Sequence, residues 1–273
     1  MFIRIPFAAM LGLFFTAIFF LTAIFAPLIA PYGYDEVVSN GFWEPASAEY
    51  LFGTDNIGRD LLSRMIYGLR TTVWIATLAT LLSFTTGSIL GFLAAVMGGW
   101  IDQLLSRFVD LLMSIPSLIF ALVILSITPI TVGVLIIVMG FLDSTRVYRL
   151  ARAVAVDINV MDYVEAAKLR GEGRGWIIFR EILPNALSPL VAEMGLRFIF
   201  MVLFISTLSF LGIGVQPPLA DWGGIVKENK EGINFGIGAA LYPAIAIATL
   251  AISVNLIADW ILNRTTSLKG GRG

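Results

Sequence analysis

Side chains able to carry out acid–base, nucleophilic or metal chemistry are scarce in this sequence. The 273 residues include no histidine and no cysteine, which removes the commonest neutral-pH general base, the commonest metal ligand and every thiolate site. No segment matches G-x-x-x-x-G-K-S/T, the loop that cradles nucleotide phosphates. The sequence therefore predicts no catalytic residue, no metal site and no cofactor within this chain.

Glu193 and Arg197 are the first charged residues whose spacing indicates a contact. They are four residues apart inside apolar sequence, with the acid nearer the amino end, so on a helix they share one face and can pair. Ionisable residues within a membrane-spanning helix are candidate functional groups. We interpret the two as a structural ion pair, and direct contact with a solute is the alternative.

A charged, glycine-rich segment in the second half of the chain is the next candidate. Asp162 and Glu165 have the spacing of a capping box, which predicts a short helix beginning at Tyr163. Gly171 can end that helix in a left-handed conformation. A second short helix is predicted at about residues 176–183.

The first of these short helices could receive a partner protein. Ala166 and Ala167 are small, so a partner surface can approach the backbone closely, while Tyr163, Leu169 and Trp176 offer apolar anchors. The alternative is an interfacial connector whose aromatic side chains rest on lipid headgroups. Composition alone favours the connector.

The elements that must position these residues are membrane-spanning helices. The sequence is 58% hydrophobic and 14% charged, with a mean hydropathy of +0.89, whereas soluble domains are about 45–50% apolar and about 25% charged. A helix needs about 20 apolar residues to cross the hydrocarbon core, so we predict an all-α polytopic membrane protein with six spans. The approximate ranges are 7–30, 71–99, 104–125, 130–150, 190–214 and 235–262.

Local signals set the ends of these spans. The third and fourth spans are predicted to form a tight hairpin, because Pro129 disfavours helix at Thr128. The first span is longer than the roughly 7 to 15 residues of a secretory signal core, so we interpret it as an anchor. An outer interfacial helix, Leu61 to Arg70, is predicted with Asp60 as its cap. Small residues in the second span predict close helix contacts: Gly87, Gly91, Gly98 and Gly99.

The charge distribution predicts the orientation, because cytoplasmic loops retain Lys and Arg. With six spans and the amino terminus inside, twelve Lys and Arg residues fall on the cytoplasmic side. Five fall outside: Arg59, Arg64, Arg70, Lys227 and Lys230. Both termini and the segment after the fourth span are therefore predicted to be cytoplasmic. The net charge of −1 provides no basic field for nucleic acid.

Several motifs together resemble a known family. Glu165-Ala166-Ala167, three residues, Gly171, eleven residues and then Leu183-Pro184 resembles the EAA loop of the membrane subunits of bacterial ATP-binding-cassette importers. Glu181 departs from the general pattern, although the peptide group also has a polar residue there. Further motifs resemble the dipeptide, oligopeptide and nickel permease group, and within it the second, C-type, subunit: residues 52–68, 182–185, 208–218 and 221–223.

The resemblance implies a type I importer permease fold and a set of partners. In the family the EAA helix sits in a groove on a cytoplasmic ATPase and passes its movement to the membrane helices. The implied partners are a homologous B-type permease subunit, two ATPase subunits that carry ATP and magnesium, and an extracytoplasmic solute-binding protein. The implied location is the bacterial cytoplasmic (inner) membrane. The implied ATPase-coupling residues are Tyr163, Glu165, Ala166, Ala167, Gly171, Leu183 and Pro184.

Residues outside the membrane are candidates for contact with the solute-binding protein. These are Asp55, Arg59, Asp60 and Trp222. Turn formation explains the first three equally well, and Trp222 also fits a position at the headgroup level.

The sequence thus predicts three regions. Residues 1–70 form the anchor and an external segment, residues 71–262 form the permease core, and residues 263–273 form a cytoplasmic tail. The core includes the coupling segment 151–187 and the external loop 214–234.

Two other classes of function are weighed against the importer. An ion-gradient-driven secondary transporter would more naturally bury acidic groups near mid-membrane and show inverted repeats, neither of which stands out. A membrane-embedded enzyme would need groups to activate water, and histidine, cysteine and paired intramembrane acids are missing. The resemblance implies a peptide as the expected solute, and nickel chelates, glutathione, opines and small saccharides are left open because similar permeases carry them.

Overall fold

The computed structural model describes residues 5–270, with side chains to Leu262, and in this range the regular elements are helices, joined by loops that include residues 30–60. The predicted tail, residues 263–273, lies outside the described side chains. The elements are α1 (Phe7–Ile24), α2 (Ala26–Ile29), α3 (Leu61–Met97), α4 (Gly99–Met113), α5 (Ser117–Ile127), α6 (Val132–Asn159), α7 (Asp162–Leu169), α8 (Arg174–Trp176), a π-helical turn (Ile177–Ile182), α9 (Leu183–Phe210), α10 (Trp222–Asn229), a 3-10 turn (Lys230–Phe235) and α11 (Leu241–Gly270).

Four helical stretches in the described range are long and apolar enough to cross a membrane: α1, α3, residues 174–210 and α11. The bent pair α4 and α5 brings the number to five. The predicted sixth span corresponds to α6, which carries Asp143, Arg146 and Arg149 within its first 18 residues. Length and composition therefore support five spans. α6 is not counted among them, because it carries too many charged residues for an apolar membrane-spanning helix.

The predicted hairpin is confirmed at its turn and wrong in its first arm. α5 ends at Ile127 and α6 begins at Val132, with Pro129 between them. The first arm is not one helix, because α4 and α5 meet at an angle of 83°. Pro116 stands at the start of α5 and has no N–H to continue the hydrogen-bond ladder of α4.

The amino-terminal end of the second span differs from the prediction. α3 runs without a break from Leu61 to Met97, so there is no separate interfacial helix and the proposed boundary at residues 70/71 lies inside a helix. Asp60 caps it as predicted, since its Oδ2 accepts a hydrogen bond from the Ser63 N–H at 2.7 Å. At about 1.5 Å per residue α3 is about 55 Å long, well beyond the about 30 Å of the hydrocarbon core.

Glycines bring α3 and α6 into close contact. A Cβ on Gly87 would lie 2.6 Å from the Ser144 carbonyl oxygen, and one on Gly91 would lie 2.8 Å from that of Tyr148. The predicted close packing at these two positions is confirmed. It is wrong at Gly98 and Gly99, where φ is +58° and +56° and a Cβ would meet nothing within 4 Å. Those two glycines turn the chain between α3 and α4.

Buried apolar residues form two main clusters. The larger one joins α1, α3, α5, α6, α9, α10 and α11. The second joins the carboxyl-terminal parts of α3 and α6 with α7, the π-helical turn and the start of α9. α8, the π-helical turn and α9 form one helical stretch of 37 residues, which contributes buried residues to both clusters.

Candidate functional site

The helix α7 begins and ends through the backbone. It starts at Asp162, with Met161 as the N-cap and no side-chain cap. The Met161 carbonyl accepts from the N–H groups of Val164 and Glu165 at 2.9 and 3.1 Å, so the predicted capping box is wrong. The predicted end is confirmed: Gly171 has φ +83°, a conformation that costs glycine little.

The surface of α7 has two different faces. Val164 and Ala167 are completely buried, whereas Leu169 is 84% and Tyr163 43% exposed. Glu165, Ala166 and Gly171 are also exposed. Ala167 was predicted to contact a partner, and this is wrong, because its methyl group packs inside the chain. The exposed side combines an acid, a small residue and two large apolar anchors.

The buried face of α7 rests on the ends of three other helices. Val164 belongs to the cluster that contains Ala95 of α3, Ile158 of α6 and Ile178 of the π-helical turn. The Lys168 Nζ donates to the Asn159 carbonyl at the end of α6, at 3.0 Å. The buried face of α7 therefore packs in the cluster that also holds residues of α3, α6 and α9.

The predicted second short helix is the beginning of a longer one. Residues 174–210 are continuous, with the π-helical turn at Ile177–Ile182. Leu183 is half-buried and Pro184 is exposed, within the first turn of α9 as predicted. π-Helical turns inside longer helices are rare and occur often at functional sites.

Outside the predicted membrane region, two distant parts of the sequence meet in a buried ionic cluster. The Asp55 Oδ2 lies 2.7 Å from the Arg59 Nε and 2.6 Å from an Nη of Arg64. Glu228 of α10 lies 2.6 Å from an Nη of Arg59 and also contacts Arg64. The Arg64 side chain is only 1% exposed. The cluster therefore fastens the segment before α3 and the start of α3 to α10.

The pKa of Asp55 reflects this environment. Burial acts to raise the pKa, but hydrogen bonds from the N–H groups of Arg59 and Ile57 and the positive charges of Arg64 and Arg59 outweigh it, so the pKa is lowered. The folded protein therefore holds Asp55 ionised, and that contribution to stability is lost as the pH falls through the lowered pKa.

The predicted contacts with a solute-binding protein are wrong. Asp55, Arg59, Asp60 and Trp222 are 0%, 7%, 2% and 1% exposed, so a partner cannot reach them. Trp222 packs inside the chain. Its ring donates to the Met65 carbonyl at 3.0 Å and packs 5.7 Å from Phe19.

Asp221 and Asn229 hold the two ends of α10. Asp221 caps the helix by accepting from the N–H groups of Gly223 and Gly224 at 3.1 and 3.2 Å. Burial raises the pKa of Asp221 to about 7, although hydrogen bonds favour its ionised form. The Asn229 Oδ1 accepts from the Trp43 Nε1 at 3.0 Å. Glu228 and Asn229 were missed by the sequence analysis, because their partners lie more than 160 residues away.

Within the membrane the predicted ion pair is present and has additional members. Arg197 lies 2.6 Å from Glu193, as their spacing predicts, and 3.5 Å from Asp143 of α6. Arg146 lies 3.6 Å from the same Asp143. The Asp143 Oδ2 accepts from the Ser83 hydroxyl at 3.0 Å, so the group joins α3, α6 and α9.

Comparison with known proteins gives two family matches. The description "Binding-protein-dependent transport system inner membrane component" matches residues 87–267, and "N-terminal TM domain of oligopeptide transport permease C" matches residues 8–45. The resemblance predicted from the motifs is thereby confirmed.

Individual relatives agree with these matches. The dipeptide transport system permease protein DppC of Alkalihalophilus pseudofirmus is 33% identical, over 92% of this chain and 83% of the relative. DppC of Haemophilus influenzae is 33% identical, over 92% and 87%. A putative peptide transport system permease protein of Brucella suis is 37% identical, over 91% and 84%. The chain therefore belongs to the family of inner membrane components of binding-protein-dependent transport systems.

Proposed function

We propose that this chain is the C-type permease subunit of an ATP-driven importer of peptides or similar small solutes. It forms half of the translocation pathway, and α7 is the contact through which a cytoplasmic ATPase moves the membrane helices. The relatives reported above are named as dipeptide or peptide permeases, and others are named for D,D-dipeptides and glutathione. These names support a peptide-like solute.

The two-sided surface of α7 is the observation that carries the proposal. Leu169 is 84% exposed on a short helix whose opposite face is anchored by Val164 in the cluster shared with α3, α6 and α9. A connector that only rests on lipid headgroups does not need that anchor. A helix that transmits the movement of a partner needs an exposed surface that the partner binds and a buried surface that packs against the helices to be moved.

We propose six spans with both termini in the cytoplasm. The sixth is α6, and its buried Asp143 and the close glycine contacts with α3 support its place inside a helix bundle. The bent pair of α4 and α5 counts as one span. This arrangement places α7 in the cytoplasm and α10 outside.

The proposed partners follow from this arrangement. A B-type permease subunit completes the pathway, two ATPase subunits bind ATP and magnesium and contact α7, and a solute-binding protein docks outside. The family description itself names dependence on a binding protein. The proposed location is the bacterial inner membrane.

A charge reversal on α7 tests the coupling. Glu165→Arg places a cation on the exposed face of α7, and we expect ATP-driven uptake and solute-stimulated ATP hydrolysis by the reconstituted complex to fall about tenfold, as for the loss of one charged interface contact. The matched control is Glu231→Arg, an exposed glutamate on the other side of the proposed membrane. Wild-type coupling in Glu165→Arg would contradict the role of α7.

The same vesicles test the secondary transporter. Uptake that requires ATP and persists when an ionophore collapses the ion gradients supports the importer. Uptake that stops with the gradients and continues without ATP supports the alternative.

A further inference from the structure

Arg146 lies near the middle of α6 and faces a cavity of about 440 Å³ between α5, α6 and α9. Its side chain is 34% exposed. The cavity is lined by Pro116, Ser117, Phe200, Leu203 and Thr207 among others, and Arg146 is the charged member of the described lining. Arginines within membrane-spanning segments usually face the interior of the helix bundle or a water-filled cavity, and this cavity is such a place.

The four charged side chains of the region are unequally compensated. Arg197 has a hydrogen-bonded partner of its own in Glu193, with Nε to Oε1 at 2.7 Å. Arg146 shares Asp143 with Arg197, at 3.6 Å, beyond hydrogen-bond distance. Its hydrogen bond goes to the neutral Ser117 hydroxyl, at 3.1 Å. Arg146 is therefore the less neutralised of the two cations.

The position of the guanidinium is fixed although its charge is not fully paired. The Arg146 Cζ lies 4.5 Å from the centroid of the Phe200 ring, and the Ser117 hydroxyl holds one Nη. A guanidinium held in this way keeps further N–H donors in the planar arrangement that suits a carboxylate.

We propose that Arg146 is a carboxylate-binding residue of the translocation pathway and that it contacts the carboxylate of the solute as it passes. This inference rests on the proposed function, because every peptide with a free carboxyl terminus brings the group that the cavity lacks. An acidic side chain of the second permease subunit is the competing occupant.

Charged thiol reagents can test the cavity directly, since the natural chain has no cysteine. Thr207→Cys places a thiol in the cavity, and Thr249→Cys on α11 is the matched control. The two threonines are alike in that each hydroxyl donates at 2.8 Å to the carbonyl four residues earlier. The complex in nanodiscs is exposed to a methanethiosulfonate that carries either a sulfonate or a trimethylammonium group.

We expect Thr207→Cys to react about tenfold faster with the anionic reagent than with the cationic one, relative to the same ratio at Thr249→Cys, because a nearby cation attracts the sulfonate. Arg146→Gln should abolish this preference and Arg146→Lys should retain it. With Arg146 intact, a saturating peptide should protect the thiol, and the same peptide as its carboxyl-terminal amide should protect it less.

Each other result counts against the carboxylate site. Equal reaction rates for the two reagents, or equal protection by the peptide and its carboxyl-terminal amide, would overturn it. A thiol that becomes reactive only when the second permease subunit is absent would show that this subunit, and not the solute, occupies the cavity. ATP-driven uptake by Thr207→Cys in proteoliposomes is measured in parallel. If the wild-type complex shows no ATP-driven uptake, the proposed function is refuted. If uptake is present but the thiol at position 207 reacts equally with the anionic and the cationic reagent, only the carboxylate site is refuted.

Discussion

Charged residues in this protein act mainly by joining distant parts of the chain. Arg59 and Arg64 bind Glu228 across more than 160 positions, and Asp143 joins two arginines on different helices. Glu193 and Arg197 were paired from the sequence, because they are one helical turn apart. Asp143 and Arg146 also have a local spacing, three residues within α6, but the contacts of Arg197 with Asp143 and of Glu228 with Arg59 and Arg64 could not be predicted, since no local pattern says which elements face each other.

The buried cap residue Asp221 makes stability depend on pH. Because its folded-state pKa is raised to about 7, the folded protein retains a proton that the unfolded chain releases above about pH 4. Stability attributable to Asp221 therefore falls as the pH rises from about 4 to about 7 and is constant above that. We expect Asp221→Asn, which keeps an oxygen acceptor for α10, to remove this slope from the thermal unfolding temperature in detergent.

Asp35→Asn is the control for this change, because Asp35 is an exposed aspartate in the segment between α2 and α3. Its pH dependence should equal that of the wild type. An Asp221→Asn protein with an unchanged slope would show that Asp221 is ionised in the folded state throughout this range.

At the scale of elements, apolar runs in the sequence predict where the helices lie. Charged residues were a poor guide to the ends of these helices. Arg64 and Arg70 indicated that the second span begins after them, yet α3 continues through both, because Arg64 is neutralised by Asp55 and Glu228 from other segments. Pro129 was read correctly as a turn, whereas the bend before Pro116 was missed. The π-helical turn has no sequence signal in this chain.

Substitution by alanine should have opposite effects at two glycines, one packed between α3 and α6 and one in open space. Gly91→Ala would place a Cβ 2.8 Å from backbone atoms of α6, and such overpacking costs about 1–3 kcal/mol. Gly133 is in the first turn of α6, where a Cβ meets nothing within 4 Å, and alanine there should stabilise the protein by at most about 0.5–1 kcal/mol. The unfolding temperatures of the two variants should therefore move in opposite directions from the wild type. A Gly91→Ala protein as stable as Gly133→Ala would refute close packing.

For the whole molecule, the structure contains two separate assemblies. In one, the ionic cluster and Trp222 fasten α10 to α3. In the other, α7 shares one apolar cluster with parts of α3, α6 and α9. The proposed topology places the first assembly outside and the second in the cytoplasm, and the proposed mechanism needs this separation, since a pull on α7 must move helices whose other ends stay together.

The sidedness of α7 and its cover by an ATPase are the central claim, and one labelling measurement tests both. Leu169 and Leu28 are 84% and 83% exposed, and in the proposed topology they lie on opposite sides of the membrane. Single cysteines at the two positions are treated with a membrane-impermeant maleimide in intact cells and in inside-out vesicles, with and without the ATPase subunits. We expect Leu169→Cys to react only in inside-out vesicles and to be protected by the ATPases, and Leu28→Cys to react only in intact cells. Reaction of Leu169→Cys from outside, or equal reaction with and without the ATPases, would contradict the proposal.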